Sequence, residues 1–199
     1  MQTNAISSWM WGPLSAVGWW TAIVTFAFDQ SHKWWMLLIY RIAEKGRVEV
    51  TPFLDLVFVK NQGVSYGMFT QGDMTGQYVL ALFALVATAG LSAWLARGVD
   101  NKLLAVSVGL IMGGALGNAL DRVLIGGVAD FFSLHAFGFY WYVFNIADVA
   151  IVAGVLGLLA ANLVPAAAQQ AQPQIPKGWF KACAKQEDVD ICNVQNIVT

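Results

Sequence analysis

The stretch GNALDRVLIGGVADFF, residues 117–132, decides how this chain folds. It closes the apolar run LLAVSVGLIMGGALG and sets Asp121, Arg122 and Asp130 where that run ends. Further on, FNIADVAIVAGVLGLLAANLV opens a second apolar run with Asn145 and Asp148 at its mouth. Runs of this length suit the hydrocarbon of a bilayer, where each charged side chain costs roughly 2.5–3.5 kcal/mol on insertion scales. Carboxylates in such places must face protein or water, and they call for a reason.

Working outward, the composition supports lipid as the solvent. Of 199 residues, 58% are hydrophobic and 12% charged, half the share of an ordinary soluble domain. Eleven Lys+Arg against twelve Asp+Glu leave a formal charge of -1 with no basic block, so nucleic acid is excluded as a partner. Both cysteines, Cys183 and Cys192, lie in the polar C-terminal tail, and the histidines are His32 and His135. The apolar region therefore holds no catalytic cysteine and no Cys/His metal cluster, and we expect no metal and no cofactor. The N-terminus has no Lys or Arg ahead of its apolar stretch and no clear small-residue cleavage site after it, which reads as a retained span.

Four stretches are long and apolar enough, or nearly so, to be transmembrane helices: 12–28, 78–96, 103–121 and 140–163. The expected fold class is an all-α membrane protein with a small β-rich subdomain in its first loop, residues 30–77. Within that loop RVEVTPFLDLVFVKNQG has strand composition punctuated by Pro and Gly, and WWMLLIY reads as an interfacial helix anchored by Trp34 and Trp35. The short RGVDNK connection carries Arg97 and Lys102, which places it in the cytoplasm and the long first loop outside. The first loop also holds five Lys and Arg, so the positive-inside rule supports this orientation only weakly. After Pro165 the composition changes: residues 166–199 are a low-complexity linker and a soluble tail, a unit separate from 1–165.

Spacing sorts the polar groups. Asp29 and Lys33 stand at i, i+4 and can pair, or Lys33 can reach the headgroups. Asn118, Asp121 and Arg122 share one face of the third helix, and a structural clasp between helices is one reading of Asp121 and Arg122. Asn145 and Asp148 begin the fourth helix, at the same end of the membrane as Asp130. Two converging carboxylates can divide one proton between them, which is the equipment of an aspartic peptidase but also of a proton relay or an ion site. Gly113, Gly114 and Gly117 read as close helix packing, and Asn61 with Gly63 as a turn after a strand.

Taken in order, FDQSHKWW, VKNQGVSYGMF, GGALGNALDR with VADFF, and FNIADVAIVAG resemble the signature blocks of the lipoprotein signal peptidases, signal peptidase II. The resemblance covers residues 12 to about 163. It implies an intramembrane aspartic endopeptidase that cleaves diacylglyceryl-modified prolipoproteins before the lipidated cysteine, in the bacterial inner membrane, with its active site facing the periplasm and inhibited by globomycin. By the same resemblance Asp130 and Asp148 are the catalytic dyad. Asn61, Gly63, Asn118, Arg122 and Asn145 support the dyad or bind substrate, and Asp29, Lys33 and Asp121 are structural polar groups. Membrane phospholipid is the expected surrounding partner, and we expect a monomer. QGVSYGMF departs from the family's more usual wording and implies a differently shaped substrate-side loop. The tail GWFKACAKQEDVDICNVQNIVT faintly resembles a fragment of an invasion-associated locus B protein, and we expect catalysis not to need it. The rival reading is a proton-coupled transporter using Asp130 and Asp148 as a relay, which calls for a polar path across the whole membrane.

Overall fold

The structure, a computed structural model, describes residues 11–63, 74–171, 178–186 and 189–197. Most of QGVSYGMF, with its expected loop shape, lies outside the described residues. The chain divides into two compact units, Met1–Ala161 and Asn162–Thr199.

In the first unit, α1 (Ser15–Trp34) continues into a π-helical turn, Trp35–Ile39, and a short α2 (Ile42–Lys45). A hairpin of β1 (Val48–Thr51) and β2 (Leu54–Asn61) precedes α3 (Met74–Gly98) and α4 (Lys102–Ile125). Strands β3 (Val128–Ala136) and β4 (Phe139–Phe144) then lead into α5 (Ile146–Ala171). In the second unit, β5 (Gly178–Gln186) and β6 (Val189–Ile197) form a hairpin whose register sets Cys183 opposite Cys192.

Helix α4 is central because glycine lines its contacts. A Cβ at Gly113 would lie 2.5 Å from the Ala22 carbonyl oxygen of α1, and one at Gly114 would lie 2.6 Å from the Ala147 carbonyl oxygen of α5. Small residues allow backbones in lipid to approach this closely, as the sequence implies. The core between α1, α3 and α4 is built on Ala22, Leu95, Val108 and Met112. Helix α3 turns Val79, Leu82, Phe83 and Val86 outward, as a lipid-facing helix does. Two described helices, α3 and α4, are long and apolar enough to cross a membrane, and Ile146–Asn162 of α5 is a shorter apolar stretch. Helix α1 spends its last turns on Asp29, Gln30, His32 and Lys33.

The sheet corrects two expectations. It is a four-stranded antiparallel meander, β1-β2-β3-β4, so only half of it comes from the first loop. The fourth apolar run does not begin as a helix at 140, because Phe139–Phe144 is a strand and α5 starts at Ile146. FYWYVF is aromatic and β-branched, the composition that pairs well across strands. Gly126, at φ 69°, stops α4 in the left-handed conformation and lets the chain turn into β3. Phe137 and Gly138, at φ 51° and 81°, make the two-residue turn from β3 to β4.

Behind the sheet, Phe131, Met36, Ile42 and Ala129 form a second core that fixes β3 against the end of α1. On the sheet, Asp55 is 2% exposed, with Arg47 Nη1 2.7 Å and His135 Nε2 3.2 Å from its oxygens. Burial pushes the Asp55 carboxyl up, but His135 and Arg47 beside it outweigh that and hold it below the usual range. This cluster pins the strands, and no sequence pattern announced it.

Candidate active site

Asp130 lies on β3 two residues after the strand begins, opposite Val59 of β2. Asp148 lies in the first turn of α5. The local sequence makes that turn: the Asn145 side-chain oxygen accepts from the Asp148 N–H at 3.0 Å, and a carboxylate oxygen of Asp148 accepts from the Asn145 N–H at 3.1 Å. This reciprocal capping box satisfies two backbone donors at once. The same Asn145 donates its amide to Asp130 at 2.6 Å. One asparagine therefore starts the helix and ties the strand carboxylate to the helix carboxylate.

Asn61 holds the other oxygen of Asp130. Its side-chain oxygen accepts from the Gly63 N–H at 3.1 Å, which leaves the amide nitrogen to donate to Asp130 at 3.1 Å. The turn role read from the sequence and the contact with Asp130 are thus parts of one geometry. Buried Gln77 donates to the Gln62 carbonyl at 2.7 Å and fastens this segment to α3. On α4, Asn118 donates to Asp148 at 3.0 Å, and Arg122 donates to the carbonyl oxygens of Asn118 at 3.2 Å and Gly63 at 3.3 Å. Among the described residues, the buried Arg122 Nε has no acceptor.

The three remaining charged groups form a second cluster beneath the first. Lys33 Nζ lies 2.8 Å from Asp29 and 2.8 Å from Asp121, with side chains 3%, 0% and 6% exposed. Of the two readings open for Lys33, the structure shows pairing and not reach to headgroups. Asp29 also accepts from the Ala147 N–H at 3.0 Å, and Asp121 from the Ala129 N–H at 3.1 Å. These two bonds anchor the first residues of α5 and β3, next to Asp148 and Asp130. Gln30, which sequence reasoning passed over, bridges Asp121 at 3.0 Å and the Gly117 carbonyl at 3.1 Å. Its place in the FDQSHKWW block, beside Asp29, was the available signal.

Asp130 and Asp148 both line one cavity of about 360 Å³. Its polar end carries Asn61, Gly63, Asn118, Arg122 and Tyr142, and its apolar wall is made by Leu80, Phe83, Ala84, Ile151 and Val152. Asp130 is 1% exposed, and burial together with the charge of Asp148 pushes its carboxyl up to about 7. Chemically, the arrangement can keep one carboxyl protonated beside an ionised one near neutrality. A hollow of about 410 Å³ between α1, α3 and α4 is lined by residues such as Trp19, Phe26, Leu85 and Leu120, and it contains none of the charged groups. No group of three or more His, Cys, Asp or Glu suited to a metal occurs among the described residues.

A family model described as Signal peptidase (SPase) II matches residues 21–164. The chain is 50% identical over 143 residues to the lipoprotein signal peptidase of Methylobacterium sp. (strain 4-46), covering 72% of this chain and 86% of that protein. It is 46% identical over 155 residues to the lipoprotein signal peptidase of Rhodopseudomonas palustris (strain TIE-1), covering 76% of this chain and 94% of that protein. A solved structure described as a bacterial membrane enzyme, determined by the in meso method at 2.3 Å resolution, superposes with a TM-score of 0.63 at 28% identity. That match covers 81% of this chain and 95% of the solved one. The capped carboxylate of α5, the strand carboxylate facing it and the relatives' shared extent point the same way: this chain belongs to the signal peptidase II family of membrane proteases.

Proposed function

We propose that the protein is an aspartic endopeptidase that removes signal peptides from diacylglyceryl-modified prolipoproteins, cutting before the lipidated cysteine. The observation that carries this reading is the pair of carboxylates, one on β3 and one on α5, at the polar end of a cavity whose other wall is apolar. Asp148 stands at the positive end of α5 opposite Arg122 and acts as the base. Asp130, carrying the proton, acts as the acid.

In the first step Asp148 removes a proton from water as its oxygen attacks the scissile carbonyl, and Asp130 gives its proton to the carbonyl oxygen. The product is a neutral gem-diol, with Asp130 ionised and Asp148 protonated. In the second step the C–N bond breaks, Asp148 protonates the leaving nitrogen, and a gem-diol hydroxyl returns a proton to Asp130. The starting state is restored without a cofactor. The Arg122 Nε, which has no acceptor among the described residues, supplies a donor for a substrate carbonyl, and the asparagine amides hold both carboxylates in line.

The apolar wall formed by α3 and α5 suits acyl chains, whose binding would set the depth of the peptide bond against the dyad. The α1, α3, α4 and α5 helices act as four membrane spans, in the bacterial inner membrane, with the sheet and the dyad at the periplasmic surface and phospholipid around a monomer. Membership in a peptidase family favours cleavage over the proton-relay alternative.

The test is cleavage of a synthetic prolipoprotein peptide by purified full-length protein, with the cysteine diacylglyceryl-modified or bare, and with or without globomycin. The lipidated peptide should be cut before its cysteine, the bare one at least about tenfold more slowly, and globomycin should stop the reaction. Equal cutting of both peptides would remove the lipid from the recognition.

A further inference from the structure

Lys33 has three N–H donors and three acceptors: Asp29 at 2.8 Å, Asp121 at 2.8 Å and the side-chain oxygen of Asn118 at 3.0 Å. Two carboxylates would be enough for a clasp between α1 and α4. The third bond has a different consequence, because Asn118 has two chemically opposite ends. With its oxygen held by Lys33, and also by the Asn145 amide at 3.2 Å, only its NH₂ is left to face Asp148, 3.0 Å away. We propose that Lys33 is a positioning residue for peptide cleavage: by fixing the Asn118 amide in one orientation, it keeps a hydrogen-bond donor on Asp148 and so keeps Asp148 ionised. This inference rests on the dyad reading given above.

Once the cation is gone, the groups around Lys33 pull the Asn118 amide the other way, against the one donor left on its oxygen, the Asn145 amide at 3.2 Å. The charged groups facing the cluster are Asp29 on α1, Asp121 and Arg122 on α4, Asp130 on β3 and Asp148 on α5, while His32 is stacked on Phe132. Without Lys33, the buried carboxylates of Asp29 and Asp121 keep Gln30 as a shared side-chain donor. They would then draw the Asn118 NH₂ toward themselves. The amide oxygen would swing toward Asp148, and acceptor would face acceptor. Asp148 would then hold its proton to a higher pH, leaving less of the base form. Lys33 does not line the cavity, so substrate affinity should be little affected.

The test uses full-length protein, the lipidated peptide and two variants, Lys33→Met and Lys33→Met with Asp121→Asn. The double variant has one carboxylate and no cation in the cluster, which restores the wild-type charge sum and removes the strain of two unpaired carboxylates. In Lys33→Met, kcat should fall roughly ten- to a hundredfold, the loss expected for one hydrogen bond to a charged group. KM should stay within about twofold, and the acid limb of the kcat profile should move up by about one to two pH units. The double variant should recover thermal stability while keeping the lowered kcat and the shifted limb. A double variant with wild-type kcat and limb would make Lys33 a clasp only, and failure of both variants to fold would make it a folding residue; either result overturns the proposal. Full activity in Asp130→Asn or Asp148→Asn would instead overturn the dyad reading itself.

Discussion

Gly117→Ala adds one methyl group at the point where α1 and α4 cross, and its effect can be worked from the geometry. The new Cβ would lie 2.5 Å from a carboxylate oxygen of Asp29, 3.3 Å from its Cγ and 3.8 Å from the Ala147 Cβ. Ordinary carbon–oxygen contact needs roughly 0.9 Å more. Asp29 cannot move that far and also keep Lys33 at 2.8 Å and the Ala147 N–H at 3.0 Å. Overpacking of this kind costs about 1–3 kcal/mol, and a lost hydrogen bond to a charged group costs about 1.5–3 kcal/mol. The expected sum is about 3–5 kcal/mol, because partial relaxation spares some of each. Chemical unfolding in detergent, followed beside turnover of the lipidated peptide, would read both effects, and turnover should fall because Ala147 neighbours Asp148. Gly90→Ala is the control: among the described residues nothing lies within 4 Å of its added Cβ, so stability and rate should hold. A Gly117→Ala protein as stable and active as the Gly90→Ala protein would refute the claim that Asp29 anchors α5 through this contact.

Two further outcomes follow. Asp130 is pushed up to about 7 by burial and by the charge of Asp148, so it serves as the acid only below that pH, and kcat should fall as pH rises through about 7. The folded carboxyl binds its proton more tightly than the unfolded one, so stability should also fall as pH rises from 3.8, the ordinary value for an aspartate, to about 7; that fall should be smaller in Asp130→Asn. Truncation after residue 165 should leave turnover of the lipidated peptide unchanged, since every group placed at the cavity lies in the unit Met1–Ala161; loss of turnover at normal expression would bring the tail into the site.

Much of this arrangement can be read from the chain, and the parts that cannot have physical causes. Charged residues in an apolar run stand out because lipid makes each one costly, which is why Asp29, Lys33, Asp121, Arg122, Asp130 and Asp148 draw notice at once. The start of α5 is harder to see, because FYWYVF and IADVAIVAG are both apolar and hydropathy alone runs them together. The boundary was present in a different form: Asn145 with Asp148 three residues later is a capping box. Burial of the Asp29–Lys33 pair depends on Gly117 of a distant helix and on Asp121 beyond it, so the i, i+4 spacing shows a pair without showing its depth. Asp55 with Arg47 and His135 is less visible still. Strands β2 and β3 and the residue before β1 bring them together, and none of them is unusual where it stands in the chain.

The most direct measurement is single-turnover cleavage of a diacylglyceryl-modified prolipoprotein peptide by wild-type, Asp130→Asn and Asp148→Asn proteins, each shown by thermal unfolding in detergent to be folded. An amide can neither take the proton from water nor give one to the carbonyl, so each variant should lose at least roughly a hundredfold in rate. Cleavage by either folded variant within about tenfold of wild type would contradict the assignment of the two carboxylates as the catalytic pair.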